Sequence, residues 1–121
     1  MAIDVKQYLY TKGVDAVLDA DFDMAKEYSK VRVGQQTIFW KNGLRRYAIP
    51  VAEIQRFHRQ LEPVIRRMCC GGKSFYIERL VLALKNGEEL VIHIGDDVPK
   101  EAEALAAAMQ KQHPQIHFGK A

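Results

Sequence analysis

Residues 36–51 read QTIFWKNGLRRYAIPV and residues 79–94 read RLVLALKNGEELVIHI. Each run holds Lys-Asn-Gly between two β-prone segments, at 41–43 and again at 85–87. A type I′ turn demands positive φ at both central residues, and Asn-Gly meets that demand at low cost, so both runs are expected as β-hairpins. With two-residue loops, the first sets Lys41 against Leu44, Trp40 against Arg45 and Ile38 against Tyr47. Trp40, Ile38, Arg45 and Tyr47 then share a face, with an arginine in reach of the indole. The second sets Leu82 against Val91 and Leu80 against His93 on one side. Val81 then meets Ile92, and Ala83 meets Leu90, on the other. Both faces of that hairpin are apolar in this register, and a strand pair covered on both sides needs a second layer.

Outward from the hairpins, Val31-Arg32-Val33-Gly34 reads as a short strand. Ile49-Pro50-Val51 leads into a strand over 53–61, with Phe57 and Leu61 on one side and Arg56 and His58 on the other. Pro63 is expected to end it, because proline cannot donate to a ladder. Leu61, Val64, Ile65 and Met68 then have helical spacing, which predicts one or two helical turns before Gly71-Gly72. Near the N-terminus, Leu18, Ala20, Phe22 and Met24 alternate with Asp19, Asp21 and Asp23, the mark of a half-buried strand over 15–22. A helical spacing through Val14, Val17, Leu18 and Phe22 competes with it. Asp23 is expected to cap a helical turn over 24–28. Residues 1–13 form an N-terminal extension, with Val5, Tyr8 and Leu9 on one face of a short helix stopped at Lys12-Gly13. At the other end, Pro99 and the preceding aspartates open a helix over 98–112. Ala102, Leu105, Ala106 and Met109 form its buried stripe at i, i+3, i+4 and i+7. Pro114 stops it, and Ile116-His117-Phe118 adds a short terminal strand.

Strands near 15–22, 31–34, 36–41, 44–50, 53–61, 75–85 and 88–95 followed by one helix give a mainly β, α+β chain. IFWKNGLRRYAIPVAEI, LVLALKNGEELVIHI and PKEAEALAAAM together resemble the pleckstrin-homology-like superfold. So does the I-P-x-x-E-I step at Ile49-Pro50-Val51-Ala52-Glu53-Ile54, which resembles that of bacterial domains of unassigned function. The resemblance covers about Val14 to Gln112. It implies a seven-stranded, bent antiparallel barrel capped by the C-terminal amphipathic helix. It also implies binding of lipids, peptides or protein partners rather than catalysis.

A chain of 121 residues fits one domain with a single core. Its 48% apolar and 27% charged residues are those of a globular protein. No apolar run approaches the ~20 residues of a membrane span. MAIDVKQYLY lacks the basic and apolar regions of a secretory signal. Cys69 and Cys70 are adjacent, too close to bridge each other, and two free thiols point to a reducing cytoplasm.

The net charge of +3 is unevenly spread: residues 45–79 carry +5, whereas 1–30 and 80–121 each carry −2. Arg45, Arg46, Arg56, Arg59, Arg66, Arg67 and Lys73 are therefore the candidate contacts for an anion or an acidic partner. The plainer account is a set of solvated strand faces. Gly71-Gly72-Lys73-Ser74 resembles the end of a phosphate-binding loop. The full motif needs glycine where Arg67 stands and a helix where Phe75-Tyr76-Ile77 reads as strand, so that loop is rejected. Cys69 and Cys70 are candidate reactive thiols among Arg66, Arg67 and Lys73. Their spacing does not suit zinc. His113 and His117 are four apart, but Pro114 separates them. His58 and His93 define no catalytic arrangement, so neither catalytic residues, a metal nor a cofactor is assigned.

These readings give a cytoplasmic, non-enzymatic binding module. Association with a protein partner or a second copy, as a homodimer, through the two-sided apolar hairpin ranks first. An anionic ligand or membrane surface bound by the basic segment ranks second. Single-stranded nucleic acid, through Arg45, Arg46, Arg56, Arg59 and Tyr47, ranks third and is disfavoured by the small net charge.

Overall fold

The computed structural model describes residues 8–11, 13–66, 73–96 and 98–119, with 64–66 and 73–75 described as backbone. In chain order these form α1 (Ala16–Met24), β1 (Lys26–Tyr28), β2 (Val31–Val33), β3 (Thr37–Asn42) and β4 (Arg45–Pro50). A 3-10 turn (Val51–Glu53) leads to β5 (Ile54–Arg66), β6 (Lys73–Leu84), β7 (Glu89–Asp96), α2 (Pro99–Gln112) and β8 (His117–Phe118). The strands make two four-stranded sheets, ordered β1-β2-β3-β4 and β7-β6-β5-β8. All pairings are antiparallel except β5 with β8. Among the described residues the chain is thus mainly β with two helices, and its eight strands form two sheets instead of the expected barrel of seven.

The main core lies between the sheets. Val31, Val33, Ile38, Trp40, Tyr47 and Ile49 of the first sheet meet Phe57, Leu80, Leu82, Leu84, Leu90, Ile92 and Ile94 of the second. The α2 stripe of Ala102, Leu105, Ala106 and Met109 completes it, as its spacing predicts. That helix packs on β1, β2 and β5. At its C-terminus, the buried His113 donates from Nε2 to the Gly34 carbonyl at 2.9 Å. A second, smaller cluster lies on the outward face of the first sheet, where Tyr10 and Phe22 cover Phe39.

Residues 16–24 form a helix where a strand over 15–22 was expected. Each aspartate explains part of the outcome. Asp15 caps the helix, accepting from the Val17 and Leu18 amides. Asp19 accepts from the Tyr10 hydroxyl and the Gly13 amide. Asp21 accepts from the Gln35 and Gln36 amides at 2.7 and 3.2 Å, and so holds the β2–β3 turn. Gly34 lets that carboxylate sit close, since a Cβ on it would lie 2.6 Å from Asp21 Oδ2 and displace it. Alternating aspartates disfavour a strand interior, and here Asp19 and Asp21 serve as acceptors for loop amides. The helical turn expected over 24–28 is likewise replaced by β1, and Asp23 belongs to α1.

The N-terminal segment reaches the edge of β4. Leu9 bridges Tyr47, and the Tyr10 amide donates to the Arg46 carbonyl at 2.9 Å. Val5 and Lys12 lie outside the described residues.

Pro63 does not end β5, which runs on to Arg66 and pairs with β6 throughout, Pro63 opposite Tyr76. Among the described residues β8 pairs only with Arg56 and Phe57, and no other strand lies on that edge of β5 further along. Proline is tolerated on such an edge because no neighbour needs its amide. The helical turns expected over 61–66 are therefore strand, and Arg67, Met68, Cys69, Cys70 and Gly71-Gly72 lie outside the described residues.

Both hairpins form, and both registers differ from expectation. In the first, Asn42 pairs with Arg45, Trp40 with Tyr47 and Ile38 with Ile49, leaving Gly43-Leu44 as the loop. The shift of two residues keeps the faces and changes the partners. Trp40 stacks on Tyr47, their rings 5.3 Å apart at 14°, instead of meeting Arg45. In the second, Leu82 pairs with Leu90 and Leu80 with Ile92, one residue away from the expected register. A one-residue slip exchanges faces. It sends Leu80, Leu82, Leu84, Leu90 and Ile92 together into the core, and leaves Val81, Ala83 and Val91 as the apolar part of the outward face. The hairpin is thus not equally apolar on both sides.

Candidate functional site

The outward face of the first sheet carries two cross-strand rows. One runs Glu27, Arg32, Phe39, Ala48 across β1 to β4. The next, nearer the hairpin tips, sets Lys41 opposite Arg46, with Lys30 alongside because the Lys41 amide donates to the Lys30 carbonyl at 2.9 Å. The end of α1 lays Phe22 over the first row, edge-on to Phe39 at 5.2 Å. The helix stops short of the second row. What remains is a concavity of about 450 Å³ whose walls include Phe22, Phe39, Lys30, Lys41, Arg32 and Arg46. That volume is in the range of small-ligand sites.

Arg32 is occupied within the fold. It pairs with Glu27 at 3.0 Å, donates to the Phe22 carbonyl at 3.4 Å and lies 4.3 Å from the Phe22 ring centre. A cation at a helix C-terminus is favoured by the helix dipole, so Arg32 fastens α1 to the sheet. Arg46 shares the same ring at 5.3 Å. Lys30, Lys41 and Arg46 form no ion pair with a carboxylate among the described residues. Like charges placed directly opposite on a ladder destabilise it, by about 0.2–1 kcal/mol on the scale of such pairs. The Lys41–Arg46 position is therefore a local conflict in an otherwise consistent sheet, and such conflicts concentrate at functional sites.

The turn that presents Lys30 is itself constrained. Tyr28 pairs with Val31, which leaves Ser29-Lys30 as a two-residue loop. Ser29 has φ +57°, the one non-glycine residue with positive φ among those described. That conformation costs roughly 1 kcal/mol for a residue with a Cβ. The loop leans on β7 at Gly95, where a Cβ would lie 2.9 Å from Ser29 Oγ. The missing side chain lets the turn approach, and Lys30 Nζ comes within 3.4 Å of His93 Nδ1. His93 Nε2 in turn lies 2.9 Å from Asp96 Oδ1. A proton on Nε2 directed at the carboxylate leaves Nδ1 to accept from the lysine.

Of the residues singled out by charge, only Arg46 joins this site. Arg45 is exposed on the opposite face of β4. Arg56 lies half-buried on β5 beside β8. Arg59 is bound to the buried Glu78 at 2.8 Å. Arg66 and Lys73 are register partners at the end of the β5–β6 ladder. Arg67, Cys69 and Cys70 lie outside the described residues. Lys30, Arg32 and Lys41 were missed because the basic segment was counted from residue 45 onward. The readable signal was the register: Lys41 opposite Arg46 follows once Trp40 is paired with Tyr47.

Among the described residues, no group of His, Cys, Asp and Glu is placed to hold a metal ion. No helix among them is long and apolar enough to cross a membrane. Comparison with protein-family models, curated proteins and solved structures finds no match to the chain.

Proposed function

We propose that the protein is a non-catalytic binding module that takes an anionic group, phosphate above all, on the outward face of its first sheet. Lys30, Lys41 and Arg46 are the contacts, Phe22 and Phe39 the floor, and Arg32 the brace. The observation that carries this reading is the direct opposition of Lys41 and Arg46 with Lys30 in the adjacent turn. A bound anion relieves that repulsion. The pleckstrin-homology-like reading agrees with it and is supported by two largely antiparallel sheets and a C-terminal helix packed on them.

Calorimetry with inorganic pyrophosphate tests the site. Binding is expected to weaken as salt rises, because exposed charges are screened. Lys41→Gln and Arg46→Gln are each expected to weaken it about tenfold, the effect of one charge-assisted hydrogen bond. Arg45→Gln, on the other face, leaves it unchanged. Pelleting with vesicles of phosphatidylcholine and phosphatidylserine in equal parts separates a membrane surface from a free anion. Equal pyrophosphate binding by wild type, Lys41→Gln and Arg46→Gln sinks the reading.

A second reading is association with another copy. It draws on Leu61 and Tyr76, 52% and 53% exposed on the same face of the β5–β6 ladder beyond the core. Light scattering after size exclusion tests it. A dimer that Leu61→Glu dissociates is expected, and a monomer at every concentration excludes it.

A further inference from the structure

The three cations of the anion site do not end at the first sheet. Arg46 faces Lys41 across the β3–β4 ladder. Lys41 is bonded through its amide to Lys30. Lys30 touches His93 of β7, an edge strand of the second sheet. His93 stands directly opposite Arg79 on β6. Five basic side chains thus form one unbroken line from the first sheet to the second. A smaller concavity of about 150 Å³ follows the second half of the line, and Trp40, Lys41, Tyr47, Arg79 and His93 are in its walls. Lys41 and Trp40 belong to the walls of both concavities. Three ladder steps of roughly 4.8 Å each, with the contact between the sheets, give a track of about 20 Å.

We infer that this line binds a linear oligophosphate chain lengthwise, its first phosphates at Arg46, Lys41 and Lys30 and its later ones at Arg79, with His93 linking Lys30 to the second sheet. The inference rests on the anion-binding reading above and adds the shape of the ligand. Two features favour a bare phosphate chain. Arg46, Lys41, Lys30 and Arg79 are cations set along one line, which suits a ligand whose charge repeats along its length, and His93 joins the two halves by accepting from Lys30. The aromatic rings beside it are not available as stacking platforms: Trp40 and Tyr47 are buried against each other, and Phe39 is buried against Phe22 of α1, whose own ring carries Arg32 and Arg46. Single-stranded nucleic acid binders rely on exposed rings for the bases. The far half of the line is the weaker one, because Glu62 pairs with Arg79 and Asp96 with His93.

The test is calorimetry with pyrophosphate, tripolyphosphate and a linear polyphosphate long enough to span the track. Affinity is expected to rise with chain length beyond pyrophosphate. Arg79→Gln is expected to weaken the longest chain about tenfold while leaving pyrophosphate unaffected. Glu62→Gln, which releases Arg79, is expected to tighten the longest chain only, a gain that a misfolded variant does not produce. A long chain that binds no better than pyrophosphate overturns the track while leaving the anion site standing. So does loss of pyrophosphate binding in Arg79→Gln equal to the loss for the longest chain. An oligothymidylate that binds more tightly than polyphosphate overturns the choice of ligand. Pyrophosphate that fails to bind at all overturns the anion site and the track together.

Discussion

The two Lys-Asn-Gly hairpins share a tripeptide and a glycine at positive φ, and differ in the length of the loop. In the first, Lys41 and Asn42 are still strand, and Gly43-Leu44 forms the loop with positive φ at Gly43 alone. That is the demand of a type II′ turn, with glycine at the first central position. In the second, all three residues are loop. The Gly87 amide donates to the Leu84 carbonyl at 3.0 Å, Asn86 Oδ1 accepts from the Glu88 amide at 2.9 Å, and Gly87 sits at φ +90°. Those features describe a three-residue loop with glycine in the left-handed position. The tripeptide permits both turns, and the cross-strand partners choose between them. Trp40 with Tyr47 and Ile38 with Ile49 are better buried pairs than any two-residue Asn-Gly loop offers in the first hairpin. In the second, the odd loop length is what brings Leu80, Leu82, Leu90 and Ile92 to one face.

That difference sets what each hairpin is for. The second turns its inner face wholly into the core, so Leu82→Ala is expected to give the largest effect, a loss of about 3 kcal/mol in urea denaturation. A loss below 1 kcal/mol, on the order of a surface change, breaks the assignment of that register. The first hairpin is covered on its outward face as well, by Tyr10 and Phe22. Burial, and then the hydrogen bond to Asp19, push the Tyr10 hydroxyl up to about 12. An unfolded tyrosine ionises near pH 10. The unfolded chain therefore loses its proton first as pH rises. The stability linked to Tyr10 is fully present below pH 10 and is lost as pH climbs toward about 12. Tyr10→Phe is expected to flatten that part of the pH–stability curve, and an unchanged curve breaks the cover.

The turns themselves separate the hairpins more finely. Asn86→Ala removes the acceptor of the Glu88 amide and is expected to cost about 1 kcal/mol. Asn42→Ala, at the end of a strand, is expected to change stability by less than about 0.5 kcal/mol. Equal costs at the two positions contradict the two turn types. The smallest effect carries the opposite sign. Lys41→Glu replaces a repulsive pair with an attractive one opposite Arg46, and is expected to stabilise the fold by a few tenths of a kcal/mol. Pyrophosphate binding should be lost in the same variant. A stabilised protein that has lost its ligand separates the two roles of that position.

Much of the architecture was legible from local pattern. The stripe of Ala102, Leu105, Ala106 and Met109 placed α2, and Asn-Gly placed both hairpins, because those signals depend on neighbours within a turn or two. Residues 15–24 were misread because a period of two in their aspartates imitates a strand, while the acceptors of Asp21 are used by Gln35 and Gln36, which are distant in sequence. Pro63 was read as a stop because its tolerance depends on whether another strand lies on that side of β5. The candidate site was the least legible part. Its cations come from the β1–β2 turn, β3 and β4, and its extension from β6 and β7, so a count of charge along the chain dispersed them.

The sequence by itself determined where the chain turns, which segments are strand around those turns, and which face of the last helix is buried. Backbone sterics and apolar spacing act over a few residues and are written locally. Only the tertiary structure decided which residue faces which. Register is set by the pairs that bury best across strands, and a shift of one or two residues there decides whether Lys41 meets Leu44 or Arg46. The basic line across the two sheets exists only through that choice and through the side chain that Gly95 lacks.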